Sequence, residues 1–121
     1  MKIFNPTVIS FLLLSFFACN QASNAQEFVK DVATQLKKEP GTIVDVRTSE
    51  EWNSGHHTKA IHADWLSDDF RKKAATWDKN KTYYLHCAAG GRSSDAVEYM
   101  KKNGFKKVYN LGGYDGIKNL K

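Results

Sequence analysis

Cys87 and the residues that follow it are the part of the sequence best suited to chemistry. The run after it consists of small residues, one arginine and a serine: Ala88, Ala89, Gly90, Gly91, Arg92 and Ser93. Small residues let the backbone curl so that several N–H groups point at one spot, and such a nest before a helix stabilises a thiolate. Arg92 adds a permanent cation that can hold an oxyanion. The pattern favours Cys87 as a catalytic nucleophile, with residues 88–93 binding an anionic substrate, over a structural cysteine before an ordinary turn.

Strands and helices must hold this loop in place. Thr82–His86 is rich in Tyr and Leu, which is typical of a strand, and delivers Cys87 to the loop, and Ser93–Lys102 has the spacing of an amphipathic helix. The other predicted elements are helices at Glu27–Lys38, after Thr48, at Asp68–Trp77 and after Gly113, and strands at Thr42–Val46, Ala60–Ala63 and Lys107–Leu111. Thr48 and Glu51 fit a capping box at the start of the second helix, in which the Thr48 hydroxyl caps the helix and Glu51 reaches back to it. This alternation predicts one α/β domain, with a mainly parallel central sheet flanked by helices on both faces. In such folds the site lies beyond the carboxyl ends of the strands.

Residues 1–25 are predicted to be an export signal. The stretch Val8–Ala18 is almost wholly apolar, yet it is too short to span a bilayer comfortably. Two kinds of processing stay open: cleavage after Ala25, or lipidation of Cys19, where the sequence Phe-Phe-Ala-Cys resembles a bacterial lipoprotein signal. Both leave a domain of residues 26–121 in the periplasm or cell envelope, and lipidation would also anchor it to a membrane.

Composition excludes several classes of protein and site. A chain of 121 residues allows one domain, and two cysteines are too few for a disulfide framework or a zinc site of paired cysteines. The net charge is +5, but the lysines are scattered in pairs and form no basic stripe with aromatic residues, so no nucleic-acid partner is expected. His56, His57 and His62 lack the spacing of metal ligands, and no metal is expected. After either kind of processing Cys87 is the only free thiol, which favours a reactive role.

The Cys87 loop resembles the active-site loop of the rhodanese family of sulfurtransferases. Three further stretches match the family in order and spacing: Asp45-Val46-Arg47, Glu50-Glu51-Trp52 with Gly55-His56, and Val108-Tyr109-Asn110-Leu111-Gly112-Gly113. The resemblance covers residues 27–117 and is greatest to small, exported, single-domain members. The chain departs from the family at Ala88, where many active members carry Arg, at His57-Thr58-Lys59 and at Ile117.

The resemblance implies a two-step sulfur transfer. Cys87 would take the outer sulfur of a small anionic donor such as thiosulfate and pass it from a persulfide to a thiol or cyanide, without any cofactor. Asp45 and Arg47 are interpreted as a structural polar pair near the site, and Ser93 is expected to cap the following helix and to donate to the loop. His86 adjoins the nucleophile, but alternation along a strand would turn it to the opposite face.

Two alternatives to an enzymatic sulfurtransferase remain open from the sequence. The first is a non-catalytic rhodanese-like module that carries sulfur or binds a partner in the cell envelope. The second is a phosphatase on the same fold, for which the family pattern requires five residues between Cys and Arg. Only four residues lie between Cys87 and Arg92, so the loop is one residue short of a phosphate cradle and favours sulfur transfer.

Overall fold

Strands and helices alternate along residues 28–121, the part of the chain that this computed structural model describes. The strands are β1 Thr42–Asp45, β2 Ile61–His62, β3 Thr82–Cys87 and β4 Lys107–Gly113. The helices are α1 Val32–Lys38, α2 Ser49–Asn53, α3 Asp69–Ala74 and α4 Gly91–Lys102, followed by a 3₁₀ turn at Tyr114–Gly116. The predicted signal, Cys19 and the possible cleavage point after Ala25 lie outside the described residues. Within residues 28–121, no helix has the length and apolarity to cross a membrane.

The four strands form one sheet in the order β2-β1-β3-β4, and every neighbouring pair is parallel. The carboxyl ends of the strands therefore meet at one edge, where Asp45 lies opposite His86. Between β3 and β4 the register shifts: Leu85 faces Asn110, whereas His86 faces Gly112. This bulge in β4 is typical of strands beside functional sites, and it brings Gly113 next to Cys87.

Helices cover both faces of the sheet, which confirms the predicted α/β architecture. On one face α3 and α4 pack against β3, and the core there includes Phe70, Leu85 and Met100. On the other face α1 and the 3₁₀ turn pack around Tyr84 and Ile117. All six residues of β3 are buried, because this central strand is covered from both sides.

Three predicted helices have different bounds in the structure. The first begins at Val32 instead of Glu27, because Phe28 forms a parallel bridge with Asn110 of β4. Asp31 then caps the helix by accepting a hydrogen bond from the Thr34 amide. The third helix ends at Ala74, three residues earlier than predicted, and α4 begins at Gly91, two residues earlier than predicted.

Candidate active site

Cys87 is the last residue of β3, and its side chain is almost completely buried. The chain then turns sharply at Gly90, whose φ of 98° lies in the left-handed region that favours glycine. This turn points the Gly90 amide back at the sulfur, and the amide nitrogen lies 2.9 Å from Cys87 Sγ. The small residues at positions 88–91 therefore form the predicted loop, with Ala88, Ala89 and Gly91 exposed at its outer side.

The surroundings of Cys87 favour its thiolate. Burial raises the pKa of this thiol, but hydrogen bonds from the Ser93 side chain and from the Ser93, Ala89 and Gly90 amides outweigh burial and lower the pKa below its ordinary value. A thiolate rather than a thiol is the nucleophilic form of cysteine. The backbone amides of Ala89, Gly90 and Ser93 are thus suited to stabilise a negatively charged sulfur, which is either that of Cys87 itself or a second sulfur bonded to it.

The side chains of Ser93 and Asn110 donate hydrogen bonds to the Gly90 carbonyl and so fix the Cys87 loop. The Ser93 hydroxyl lies 2.8 Å from Asn110 Oδ1, 3.1 Å from the Gly90 carbonyl and 3.4 Å from Cys87 Sγ. Asn110 in turn donates to the Gly90 carbonyl and accepts from the Gly112 amide. Ser93 does not cap α4 as predicted, because the helix already begins at Gly91 and Gly90 takes the cap position. The Asn110 contacts were not predicted, although a polar residue in a buried strand is the kind of signal that marks such a role.

Two glycines let other parts of the chain approach the loop closely. A Cβ atom at Gly90 would lie 2.6 Å from the ring of Phe28, and one at Gly113 would lie 2.6 Å from the Ala88 carbonyl oxygen. Both distances are far below van der Waals contact, so these positions need glycine. Gly113 at the end of β4 therefore leaves room for the backbone of the Cys87 loop.

Arg92 pairs with a carboxylate that was not among the predicted site residues. Its two terminal nitrogens lie 2.6 Å and 3.0 Å from the two carboxylate oxygens of Glu51, in a bidentate pair. Hydrogen bonding to Arg92 holds the pKa of Glu51 at about 2. Glu51 also closes the predicted capping box of α2 with Thr48. The capping box was visible in the sequence, but the partner 41 residues away was not.

Asp45 and Arg47 form a second ion pair, which is buried. Arg47 Nη2 lies 2.7 Å from Asp45 Oδ2 and also donates to the Gly55 carbonyl. The guanidinium packs over the ring of Tyr114, 4.1 Å from its centroid. Burial lowers the pKa of Arg47, but the hydrogen bonds to Asp45 outweigh this and raise it. The pair therefore connects β1, the segment after α2 and the 3₁₀ turn, at the edge of the sheet that carries Cys87.

His86 lies on the sheet face opposite Cys87, as strand alternation predicts. It is fully buried near Tyr114, and its Nε2 atom lies 3.6 Å from Asp45 Oδ2. Burial is the main reason that its pKa is lowered, so the neutral form is favoured.

The other histidines contact separate carbonyl groups, those of Trp52, Leu120 and Arg47. Among residues 28–121, no three potential ligands are grouped to hold a metal ion.

Comparison with known proteins identifies the family of this chain. Residues 28–120 match the family described as Rhodanese-like domain. A tRNA uridine(34) hydroxylase of Yersinia pestis (strain Pestoides F) is 34% identical over 99 residues, an alignment that covers 75% of this chain and 27% of the relative. The chain thus spans little more than a quarter of the length of such curated relatives.

Solved structures give the same result. A rhodanese with anions from E. coli is 32% identical and has a TM-score of 0.56, covering 64% of this chain and 91% of that one. A rhodanese-like domain protein from Staphylococcus aureus is 35% identical and has a TM-score of 0.59, covering 69% of this chain and 85% of that one. These likenesses are consistent with sulfurtransferase activity. Since the family match extends over nearly all the residues described, the chain belongs to the rhodanese-like domain family.

Proposed function

We propose that the protein is a sulfurtransferase that moves a sulfane sulfur from a donor to a thiophilic acceptor through a persulfide on Cys87. One observation carries the proposal: the buried sulfur of Cys87 receives hydrogen bonds from the loop, including one of 2.9 Å from the Gly90 amide. This environment favours a charged sulfur without any metal or organic group. Residues 88–93 would surround the donor, and Asp45 and Arg47 would support the site from the scaffold.

In the first step, the Cys87 thiolate attacks the outer sulfur of the donor. A sulfur–sulfur bond to Cys87 forms, the donor's own bond to that sulfur breaks, and the leaving group departs with the electron pair. With thiosulfate the leaving group is sulfite. The loop amides then stabilise the negative charge on the new outer sulfur, which is an electrostatic role.

In the second step, a nucleophilic acceptor attacks the outer sulfur and releases the Cys87 thiolate. A thiol would accept the sulfur in the cell, and cyanide serves as an acceptor in an assay. The hydroxylation in the name of the Yersinia relative belongs to a protein of which this chain matches 27%. Our proposal for this chain is therefore limited to the sulfur chemistry that the Cys87 loop supports.

We also propose that the protein acts outside the cytoplasm, in the periplasm or cell envelope. The apolar stretch near the N-terminus supports this proposal, with either cleavage after Ala25 or a lipid on Cys19. Mass spectrometry of the mature protein distinguishes the two. A diacylglyceryl adduct on Cys19 supports a membrane-anchored lipoprotein, whereas a mature chain that starts at Gln26 supports soluble export.

Intact-mass analysis tests the proposed activity directly. After incubation with thiosulfate, the processed protein should gain ~32 mass units, one sulfur atom, and its Cys87→Ser variant should gain none. A cyanide-coupled assay then measures turnover. Loading with turnover supports the enzyme, whereas loading without turnover supports the alternative, a sulfur-carrier module. Failure of Cys87 to load from thiosulfate or from any organic persulfide would contradict both.

A further inference from the structure

A groove beside β4 gathers lysines from separate segments of the chain. It has a volume of about 640 Å³, and five exposed lysines line it: Lys30, Lys38, Lys101, Lys106 and Lys107. The first two lie at the two ends of the α1 segment, the third lies in the last turn of α4, and the last two lie where β4 begins. We call this surface the lysine groove.

Most of these ammonium groups have no carboxylate partner among the described residues. Only Lys107 forms an ion pair with a residue in that part of the chain, Glu39, at 3.8 Å. The one acid that lines the groove is Asp31, and its carboxylate already accepts hydrogen bonds from the amide and the hydroxyl of Thr34. The lysine groove is therefore a surface that attracts anions.

An exposed apolar ring lies at the same surface. Phe28 also lines the groove, and 47% of this residue is exposed although part of its ring packs against Gly90 and Gly112. Lysines around an exposed aromatic ring are typical of surfaces that bind membranes, because the ring enters the boundary between headgroups and acyl chains while the lysines contact phosphates. A soluble anion would use the lysines and leave the ring in water.

The chain enters the described domain at this groove. Phe28 is the first described residue, and Cys19, the proposed lipidation site, lies nine positions upstream. Nine residues span at most about 30 Å when fully extended, so a lipid on Cys19 would hold Phe28 within that distance of a bilayer. Charges on a membrane act over only about 10 Å at moderate salt, and a tether of this length lets the groove come that close.

We propose that the lysine groove docks the domain on an anionic phospholipid surface, with its lysines on lipid phosphates and Phe28 at the interface. This inference rests on the proposed location in the cell envelope and does not depend on sulfur transfer by Cys87. Lys107 pairs with the start of β3, whereas Cys87 ends that strand, about 17 Å further along the sheet. Docking at the edge of β4 therefore leaves the carboxyl ends of β1 and β3 open to water, where a soluble donor can reach Cys87.

Lysine labelling maps the docked surface. The processed protein is treated with an amine-acetylating reagent alone, with vesicles of phosphatidylcholine, and with vesicles of an equimolar mixture of phosphatidylcholine and phosphatidylglycerol. Peptide mass spectrometry then gives the labelling rate of each lysine. We expect only the mixed vesicles to slow the labelling of the five groove lysines, by about fivefold or more, and high salt to abolish this protection. Because labelling reports contact with the surface, the comparison holds with or without a lipid on Cys19.

Two double variants of equal net charge separate this surface from the charge of the whole chain. Lys101→Glu/Lys106→Glu reverses two groove lysines, whereas Lys59→Glu/Lys72→Glu reverses two exposed lysines that do not line the groove. Each lysine near an anionic bilayer strengthens binding by about fivefold. The first variant should therefore label its remaining groove lysines at the rate found without vesicles, and the second should keep the protection of the wild type.

The outcomes distinguish this inference from the proposed function. Protection of the groove lysines by mixed vesicles alone supports docking on lipid. Unchanged labelling with mixed vesicles, or equal protection of Lys59 before β2 at the opposite edge of the sheet, would overturn it. Protection by inorganic polyphosphate but not by vesicles would overturn it too, and would indicate a soluble polyanion. Cys87→Ser should show the wild-type pattern, so failed docking leaves sulfur transfer standing and failed sulfur loading leaves docking standing.

Discussion

Two arginine–carboxylate pairs lie at the end of the sheet that carries Cys87, and they differ in both burial and sequence separation. In the pair of Asp45 and Arg47 the side chains are 0% and 7% exposed and the residues are two positions apart. In the pair of Glu51 and Arg92 the side chains are 32% and 23% exposed and the residues are 41 positions apart. The same two kinds of group therefore meet under very different solvation.

The difference in burial separates a scaffold from an adjustable contact. A buried charge that loses its partner cannot be solvated by water, so the Asp45–Arg47 pair is fixed once the chain has folded. A partly exposed pair competes with water and with ions, so the Glu51–Arg92 pair can be exchanged at a modest cost. The first pair therefore maintains the shape of the site, whereas the second can separate without leaving a buried charge.

The largest expected effect comes from breaking the buried pair. Asp45→Ala should lower the free energy of unfolding by about 3–5 kcal/mol, because it leaves the Arg47 guanidinium buried without its carboxylate. Urea unfolding followed by circular dichroism measures this loss. The control replaces both residues with apolar ones of similar volume, and this double variant should recover part of the stability. A loss below about 1 kcal/mol for Asp45→Ala would contradict the scaffold role.

A smaller effect is expected from the cap that presents Glu51. Thr48→Ala should lower the free energy of unfolding by about 1 kcal/mol, since the Thr48 hydroxyl no longer accepts from the Glu51 amide. Thr48→Ser keeps the hydroxyl and is the matched control. The same urea experiment measures both variants, and equal losses in the two would show that the methyl group rather than the cap matters.

The pair of Glu51 and Arg92 should contribute less than about 1 kcal/mol to stability because it is partly exposed. The pKa of Glu51 is about 2, below its ordinary value of 4.5. The contribution of the pair to the free energy of unfolding is therefore fully present above pH 4.5 and is lost as the pH falls towards 2. Unfolding of the wild type and of Glu51→Gln at pH 7, 4.5 and 3 measures this. The stability difference should be largest at pH 7 and smaller at pH 3; a difference that grows with acid has the wrong sign.

The smallest effect is expected at a fully surface pair. Glu98 and Lys102 lie one turn apart on α4, 3.0 Å between their charged atoms, and both are well exposed. Glu98→Gln should change the free energy of unfolding by no more than about 0.5 kcal/mol. This variant is the reference for an ion pair whose two side chains are both well exposed. A larger loss would show that the exposure of an ion pair does not determine its contribution to the free energy of unfolding of this protein.

The sequence predicted the local features of the fold well. Thr48 and Glu51 are close in the chain and form the capping box that their types indicated, and strand β3 lies where its Tyr- and Leu-rich sequence predicted it. Sequence patterns report mainly short-range interactions, so such elements are accessible to them. The position of Cys87 at a strand end also follows from local patterns.

Contacts between distant segments account for what the sequence did not predict. The partner of Arg92 and the hydrogen bonds of Ser93 to Asn110 depend on how β1, β3 and β4 are arranged. The predicted start of α1 was wrong for the same reason, because residue 28 pairs with β4 instead of continuing the helix. One groove beside β4 is lined by lysines that are scattered along the chain and that only the fold gathers: Lys30, Lys38, Lys101, Lys106 and Lys107. Tertiary contacts override local preference at each of these places.

The bridge at Phe28 has a practical consequence for handling the protein. Its ring packs against Gly90, the residue whose amide points at the sulfur, and against Gly112. A recombinant fragment that starts at Lys30 would lack this ring. The turn at Gly90 would then lose a packing contact, even though all residues of the Cys87 loop remained. Truncation boundaries for crystallisation or isotope labelling should therefore lie upstream of Phe28.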